Sequence, residues 1–236
     1  MPNVTELKEF YETPLGKFTC QKLRQKISKL WPEVSREKIL GLGFALPYLP
    51  LLAYGNSCVA FMPSSIGAMK VEDASPTAMV DITALPARNE YFDRAVLIHC
   101  MENIEETEKM LEQLWHVMKP AAKILLIVPN DNSLWLKLNT PYKKSLSYTK
   151  MTLLHYLLFS KFSPRRISRD LFFIPSNNRS INRLTSFLGN IFWRNYSGVL
   201  IIEAEKLIFA PGGKPIKIAP TIWDKIFKPK AASAVG

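Results

Sequence analysis

Five short runs within the first 130 residues are apolar at nearly every position, and each is closed off by glycine, proline or a helical pattern. They are Lys38-Ile39-Leu40-Gly41-Leu42-Gly43 and residues 58–61, 78–81, 94–99 and 124–128. A strand with one wet face alternates polar and apolar residues, whereas a strand apolar throughout is covered on both faces. Segments of helical character lie between these runs. One covers residues 47–54; in another, Ile104, Thr107, Leu111, Leu114, Trp115 and Met118 trace a single face before Pro120. Asn103, with Glu106 three residues on, predicts the cap and capping-box acid of that second helix. Apolar strands alternating with helices predict parallel βαβ units and a sheet layered between helices.

The flanks read differently. Residues 6–30 space Leu23, Ile27 and Leu30 for a helix and carry a break at Pro14-Leu15-Gly16, which predicts one short and one longer helix. Beyond residue 130, Ser147 predicts the cap of a helix through Phe159, and Ile181, Leu184, Leu188 and Ile191 mark another. Residues 199–209 form a long final strand. Its Glu203, Glu205 and Lys206 predict a half-exposed strand or one at the sheet edge. The expected organisation is N-terminal helices over 1–36, one α/β domain over 37–210, and a basic tail over 211–236 with little regular structure.

Charge divides the chain sharply. Residues 1–130 hold 14 Lys+Arg against 15 Asp+Glu, and residues 131–236 hold 17 against 5. Excess of that kind suits RNA, an anionic membrane surface or an acidic partner, and equally a solvated lysine-rich face. Lys143-Lys144, Arg165-Arg166, Arg169, Arg179, Arg183 and Arg194 are interleaved with Phe162, Phe172, Phe173, Phe192, Trp193 and Tyr196, the pairing of phosphate and stacking groups that single-stranded nucleic acid uses. No recognised RNA-binding motif accompanies them. Cys20, Cys58 and Cys100 lie far apart, giving neither a zinc site nor a disulfide framework, and suit a reducing cytoplasm. The polar, acidic opening of the chain lacks the basic and apolar regions of a signal peptide. Pro47, Pro50, Gly55 and Asn56 interrupt the most apolar stretch, so no membrane span is expected.

Three stretches carry a family resemblance. Val80-Asp81-Ile82-Thr83-Ala84-Leu85-Pro86, then Phe92-Asp93-Arg94-Ala95-Val96, then Trp115-His116-Val117-Met118-Lys119-Pro120 resemble the class I S-adenosylmethionine-dependent methyltransferases of the type 11 group over about residues 37–130. The opening Tyr11-Glu12-Thr13-Pro14-Leu15-Gly16 is similar to that of an uncharacterised bacterial subgroup. The resemblance implies a Rossmann-like α/β fold: a mostly parallel seven-stranded sheet, helices on both faces and an antiparallel final strand. It also implies S-adenosylmethionine as methyl donor, bound by Gly41, Gly43, Phe44, Ala45, Met62, Asp81, Ile82 and His99. In the family the first strand ends in an acid and a glycine-rich loop, and the second in an acid for the ribose hydroxyls. Here Gly41 and Met62 stand at those positions, and the later loop glycines are Ala45 and Pro47. Asp81, the adenine-side acid, is kept. A thioether cannot replace a carboxylate as acceptor for two hydroxyls.

His99, at the end of the fourth strand, is the candidate catalytic residue. Ligands of open α/β sheets bind at the carboxyl ends of strands, and an imidazole titrates near neutrality. A packed histidine lining the pocket is the plainer reading. Glu102, three residues on, has a similar but weaker case. No metal site is expected, and G-x-S-x-G, H-E-x-x-H and P-loop patterns are absent. Two readings follow. One is a cytoplasmic methyltransferase whose acceptor is chosen by the second half; the other is an inactive relative whose basic half docks RNA or a membrane surface.

Overall fold

Seven strands form one sheet in the order β3-β2-β1-β4-β5-β7-β6. The structure, a computed structural model, describes residues 2–207 apart from 33, 70–74, 138–139, 145, 174, 177, 179–180 and 183–196. The strands are β1 (Lys38–Gly43), β2 (Ser57–Pro63), β3 (Thr77–Val80), β4 (Phe92–Ile98), β5 (Met118–Pro129), β6 (Phe162–Asp170) and β7 (Val199–Lys206). β1 to β5 pair in parallel, and β7 runs antiparallel to both β5 and β6. This is the mixed α/β sheet that the resemblance implies.

The period of two explains the two cores. Ile39, Val96, Ile98, Leu125, Ile127 and Ile201 point to one face, beneath α1 (Val4–Glu12), α2 (Pro14–Leu30) and the single turn α3 (Leu49–Leu52). Leu40, Leu42, Leu97, Leu126 and Ile202 point to the other, beneath α4 (Thr107–Val117) and α5 (Lys150–Phe159). The helix break falls where the sequence puts it. Thr13 ends α1 and caps α2, its hydroxyl accepting from the Gly16 amide at 3.0 Å.

Several expectations need correction. The helix over 47–54 shrinks to α3, because Pro47 and Pro50 donate no backbone hydrogen bond and Gly55 follows closely. Asn103 does not cap α4. It ends a short 3-10 turn, Met101–Asn103, and its side-chain amide donates to the His99 carbonyl at 3.1 Å, while Glu106 stands at the cap position. Thr149, rather than Ser147, caps α5. The basic stretch 162–170 is a strand, and it, not β7, holds the sheet edge. Of the helix marked by Ile181, Leu184, Leu188 and Ile191, Ile181 is described as helical together with Asn182, while Leu184, Leu188 and Ile191 lie outside the described residues, as does the tail after 207.

β7 tolerates burial because its charges are satisfied. Glu203 is buried and accepts from the Trp31 indole at 2.9 Å. Lys206 is buried too; it donates to the Met118 carbonyl at 2.7 Å and lies 3.9 Å from the centre of the Trp115 ring. Trp31→Phe keeps most of the apolar surface but strands one carboxylate oxygen. A loss of about 1–3 kcal/mol is expected by thermal unfolding, and Glu203→Gln in the Trp31→Phe background should cost less than it does alone.

At the amino ends of the strands, Asp93 ties three elements together. It accepts from the Lys38 amide at 2.9 Å and the Lys119 ammonium at 2.6 Å. Burial pushes its carboxyl up, but these bonds outweigh that and leave it below the usual range. The Phe-Asp pair of the sequence is therefore a structural clasp at the end of the sheet away from the ligand crevice.

Candidate active site

At the carboxyl ends of β1 and β4 the backbone turns sharply twice. Gly43 has φ +84°, and a Cβ there would lie 2.4 Å from the Ile98 carbonyl oxygen. The Phe44 amide donates to that same oxygen at 2.8 Å, so the two strand ends are locked together. His99, immediately after β4, has φ +50°, a conformation that costs a non-glycine residue about 1–2 kcal/mol. The Asn103 amide, already noted on the His99 carbonyl, holds the turn.

His99 is aimed into a chain of polar groups, all buried. Its Nε2 lies 2.9 Å from the Tyr11 hydroxyl, which lies 2.7 Å from the Tyr48 hydroxyl. Its Nδ1 lies 3.3 Å from Glu102 Oε1, and both side chains are fully buried. The Tyr142 ring stacks on the imidazole, with centroids 5.0 Å apart. One proton arrangement satisfies the chain: Tyr48 donates to Tyr11, Tyr11 donates to Nε2, and Nδ1–H faces the carboxylate.

Satisfaction is incomplete. Both Glu102 oxygens, His99 Nδ1 and the Tyr142 hydroxyl are buried without a well-formed hydrogen bond. Such groups cost roughly 1–3 kcal/mol each when left unmade, more if charged. Burial pushes the phenols of Tyr11, Tyr48 and Tyr142 well above their ordinary range. Each therefore stays a neutral donor at physiological pH.

The residues expected to hold a donor are only partly brought together. Gly43, Phe44 and His99 converge, and Tyr11 stacks on the Phe44 ring at 5.7 Å. Gly41 and Ala45 pack under α3: a Cβ at Gly41 would lie 2.9 Å from both Ala45 Cβ and Leu49 Cδ1. An acid at that position would have to displace Leu49. Met62 is fully buried in the core below α1, and Ile82 is buried on the opposite face. Asp81 stands apart on the surface at the end of β3. Its carboxylate accepts from the Thr83 hydroxyl at 2.7 Å and amide at 2.8 Å, and these bonds hold it below the usual range. The tight glycine backbone at Gly43 and the open acid at Asp81 fit a class I donor. Gly41 and Met62 offer no acid for it, and Tyr11 covers Phe44.

Tyr11, Tyr48 and Tyr142 were not foreseen as site residues. Tyr11 carries a faint signal, since Leu7, Phe10 and Tyr11 form the buried stripe of α1. Tyr142 carries none: it comes from a short turn, Pro141–Lys144, in the second half of the chain. His116 and His155 are exposed on helices, away from this site. Among the described residues no group of His, Cys, Asp and Glu is arranged to hold a metal, and no helix is long and apolar enough to cross a membrane.

Comparison with known proteins bears on this geometry. A family model described as a methyltransferase domain matches residues 40–126. No curated protein matches the chain. Among solved structures, an S-adenosylmethionine-dependent methyltransferase from Thermotoga maritima is 14% identical with a TM-score of 0.61, covering 86% of this chain and 95% of its own. One from Archaeoglobus fulgidus is 17% identical with a TM-score of 0.58, covering 78% and 93%. The geranyl diphosphate C-methyltransferase of Streptomyces coelicolor A3(2) is 9% identical with a TM-score of 0.57, covering 78% and 75%. At such identities the likeness speaks for the fold, and the match over residues 40–126 speaks for the domain. Residues 40–126 thus match a methyltransferase-domain model, and the chain adopts the fold of the class I S-adenosylmethionine-dependent methyltransferases.

Proposed function

We propose that the chain transfers a methyl group from S-adenosylmethionine to a protonated oxygen or nitrogen nucleophile, with His99 as the base. The observation that carries this is the buried His99–Glu102 pair, 3.3 Å apart and incompletely hydrogen-bonded, at the end of β4. Bound at Gly43, Phe44 and Asp81, S-adenosylmethionine supplies an electrophilic methyl group. The chain's own residues manage the proton. His99 Nε2 takes it from the acceptor, and Glu102 stabilises the imidazolium that results.

The Tyr11 hydroxyl at 2.9 Å from Nε2 stands where an acceptor hydroxyl would stand. Hence α1 must lift to admit an acceptor, and Tyr11 is an internal stand-in for it. A second reading also has an observation behind it. Gly41 and Met62 are buried against apolar neighbours and offer no acid, as a fold kept for binding rather than catalysis would allow.

Calorimetric titration with S-adenosylmethionine and its demethylated product separates the two. Micromolar binding supports the enzyme, with Tyr11→Ala binding the donor more tightly because the covering ring is gone. His99→Ala should then bind the donor normally and lose about 10²-fold in turnover on any acceptor found. Absence of binding up to millimolar donor, in the native chain and in Tyr11→Ala alike, would favour the binding-module reading.

A further inference from the structure

A second concave site lies at the far edge of the sheet. The cavity, about 610 Å³, is lined by Lys22, Lys26 and Lys29 of α2, Lys150 of α5, and Arg169 and Asp170 of β6. Spacings of four and three put the three α2 lysines on one helix face, so their convergence is written into the sequence. Lys150 reaches the same cavity from the helix on the opposite face of the sheet, around the β6 edge. Among the described residues four lysines thus face one acid, and that acid is largely spoken for: Asp170 accepts from the Leu171 amide at 2.7 Å and is pushed up by burial despite the lysines.

The contrast with other cations matters. Lys8, Lys109, Lys119, Arg94, Arg165 and Arg166 each have a carboxylate within 4.0 Å. Among the described residues Lys26, Lys29 and Lys150 have none. Gathering like charges in a concavity is unfavourable in the empty fold and favourable once an anion enters. The volume is that of a small-molecule site rather than a surface track.

We propose that this cavity binds a compact phosphorylated ligand bearing at least two negative charges, of the diphosphate type. Arg165 and Arg166, farther along β6, are paired with Glu205 and Glu203, which favours a small ligand over a nucleic-acid strand, since a strand would need a continuing stripe of cations. Ile167 and Phe172, the apolar residues of the lining, are half-buried, which speaks against a membrane surface, since that needs protruding apolar groups beside the charge. The inference is independent of whether the methyl donor binds.

Inorganic pyrophosphate is the probe. Calorimetry on the full chain at low salt should show saturable one-to-one binding at submillimolar concentration. Lys22→Gln/Lys26→Gln/Lys29→Gln should weaken it at least tenfold while leaving the unfolding midpoint near that of the native chain. Lys8→Gln/Lys109→Gln/Lys161→Gln removes the same charge elsewhere and should bind as the native chain does. Three results would overturn the proposal: no saturable binding, equal weakening in both variants, or binding of RNA or anionic vesicles that pyrophosphate does not displace. A groove variant that unfolds early is replaced by Lys26→Gln alone, for which threefold or greater weakening is required.

Discussion

Gly43→Ala is expected to destabilise the protein by about 3–5 kcal/mol, enough to unfold a marginal domain. The left-handed backbone at φ +84° contributes about 1–2 kcal/mol of this. The remainder comes from a methyl group forced to within 2.4 Å of the Ile98 carbonyl oxygen and 2.7 Å of Cys100 Cβ. Neither neighbour can retreat. The oxygen accepts the Phe44 amide, and both strand ends lie in the middle of the sheet. Gly55 supplies the control, since it also has positive φ but has nothing within 4 Å of the place a methyl group would occupy. Gly55→Ala should therefore lose only the conformational part, about 1–2 kcal/mol. Thermal unfolding of the pair measures the difference, a midpoint gap of roughly 5–10 °C at this chain length. Equal losses would mean that the two strand ends are not packed as described.

Alkaline pH should unfold the protein steeply. Tyr11, Tyr48 and Tyr142 are buried phenols raised well above their ordinary range, whereas in an unfolded chain each ionises near pH ~10. The native state then holds three protons that the unfolded state has released. The contribution of these three groups is fully present below about pH 10 and falls above it by about 4 kcal/mol per pH unit, in addition to the losses from the raised thiols of Cys20, Cys58 and Cys100 and the raised phenol of Tyr148. Denaturant unfolding at pH 9, 10 and 11 gives the slope. The absorbance of tyrosinate gives an independent reading: the three phenols should ionise only as the fold is lost. Tyr11→Phe should reduce the slope by about 1.4 kcal/mol per pH unit. A slope unchanged by that substitution would show that the phenol is not protected in the native state.

The fold was far more legible than the site. Apolar runs such as Ile39–Leu42 and 124–128 need no partner to be recognised, because burial on both faces leaves its mark on every residue. β6 escaped because an edge strand is released from that demand: Pro164, Arg165, Arg166 and Arg169 write the pattern of a solvated loop. β7 misled for the opposite reason. Its charges look exposed, and only the distant Trp31 and Met118 make their burial tolerable. The site suffers from the same distance. His99 could be placed from its strand end, but Tyr11, Tyr48 and Tyr142 come from positions 88, 51 and 43 residues away in sequence. No local spacing connects residues so far apart. The cofactor positions Gly41 and Met62 were visible as departures from a pattern, yet what replaces their acids is an apolar packing that only coordinates display.

The arginines of β6 also have a role that needs no ligand. A strand at the end of a sheet presents unpaired backbone groups to any other chain, and flat, uncharged edges invite strand-to-strand aggregation. β6 presents a proline, which donates nothing, and its register shifts between Pro164 and Arg166 where it meets β7. Arg165 and Arg166 sit on that irregular edge, tethered to Glu205 and Glu203 of the neighbouring strand. A second molecule approaching there meets the same charges and a broken ladder. Part of the positive excess in the second half of the chain is thus a guard on solubility, which keeps a seven-stranded sheet from gaining an eighth strand from a neighbouring molecule.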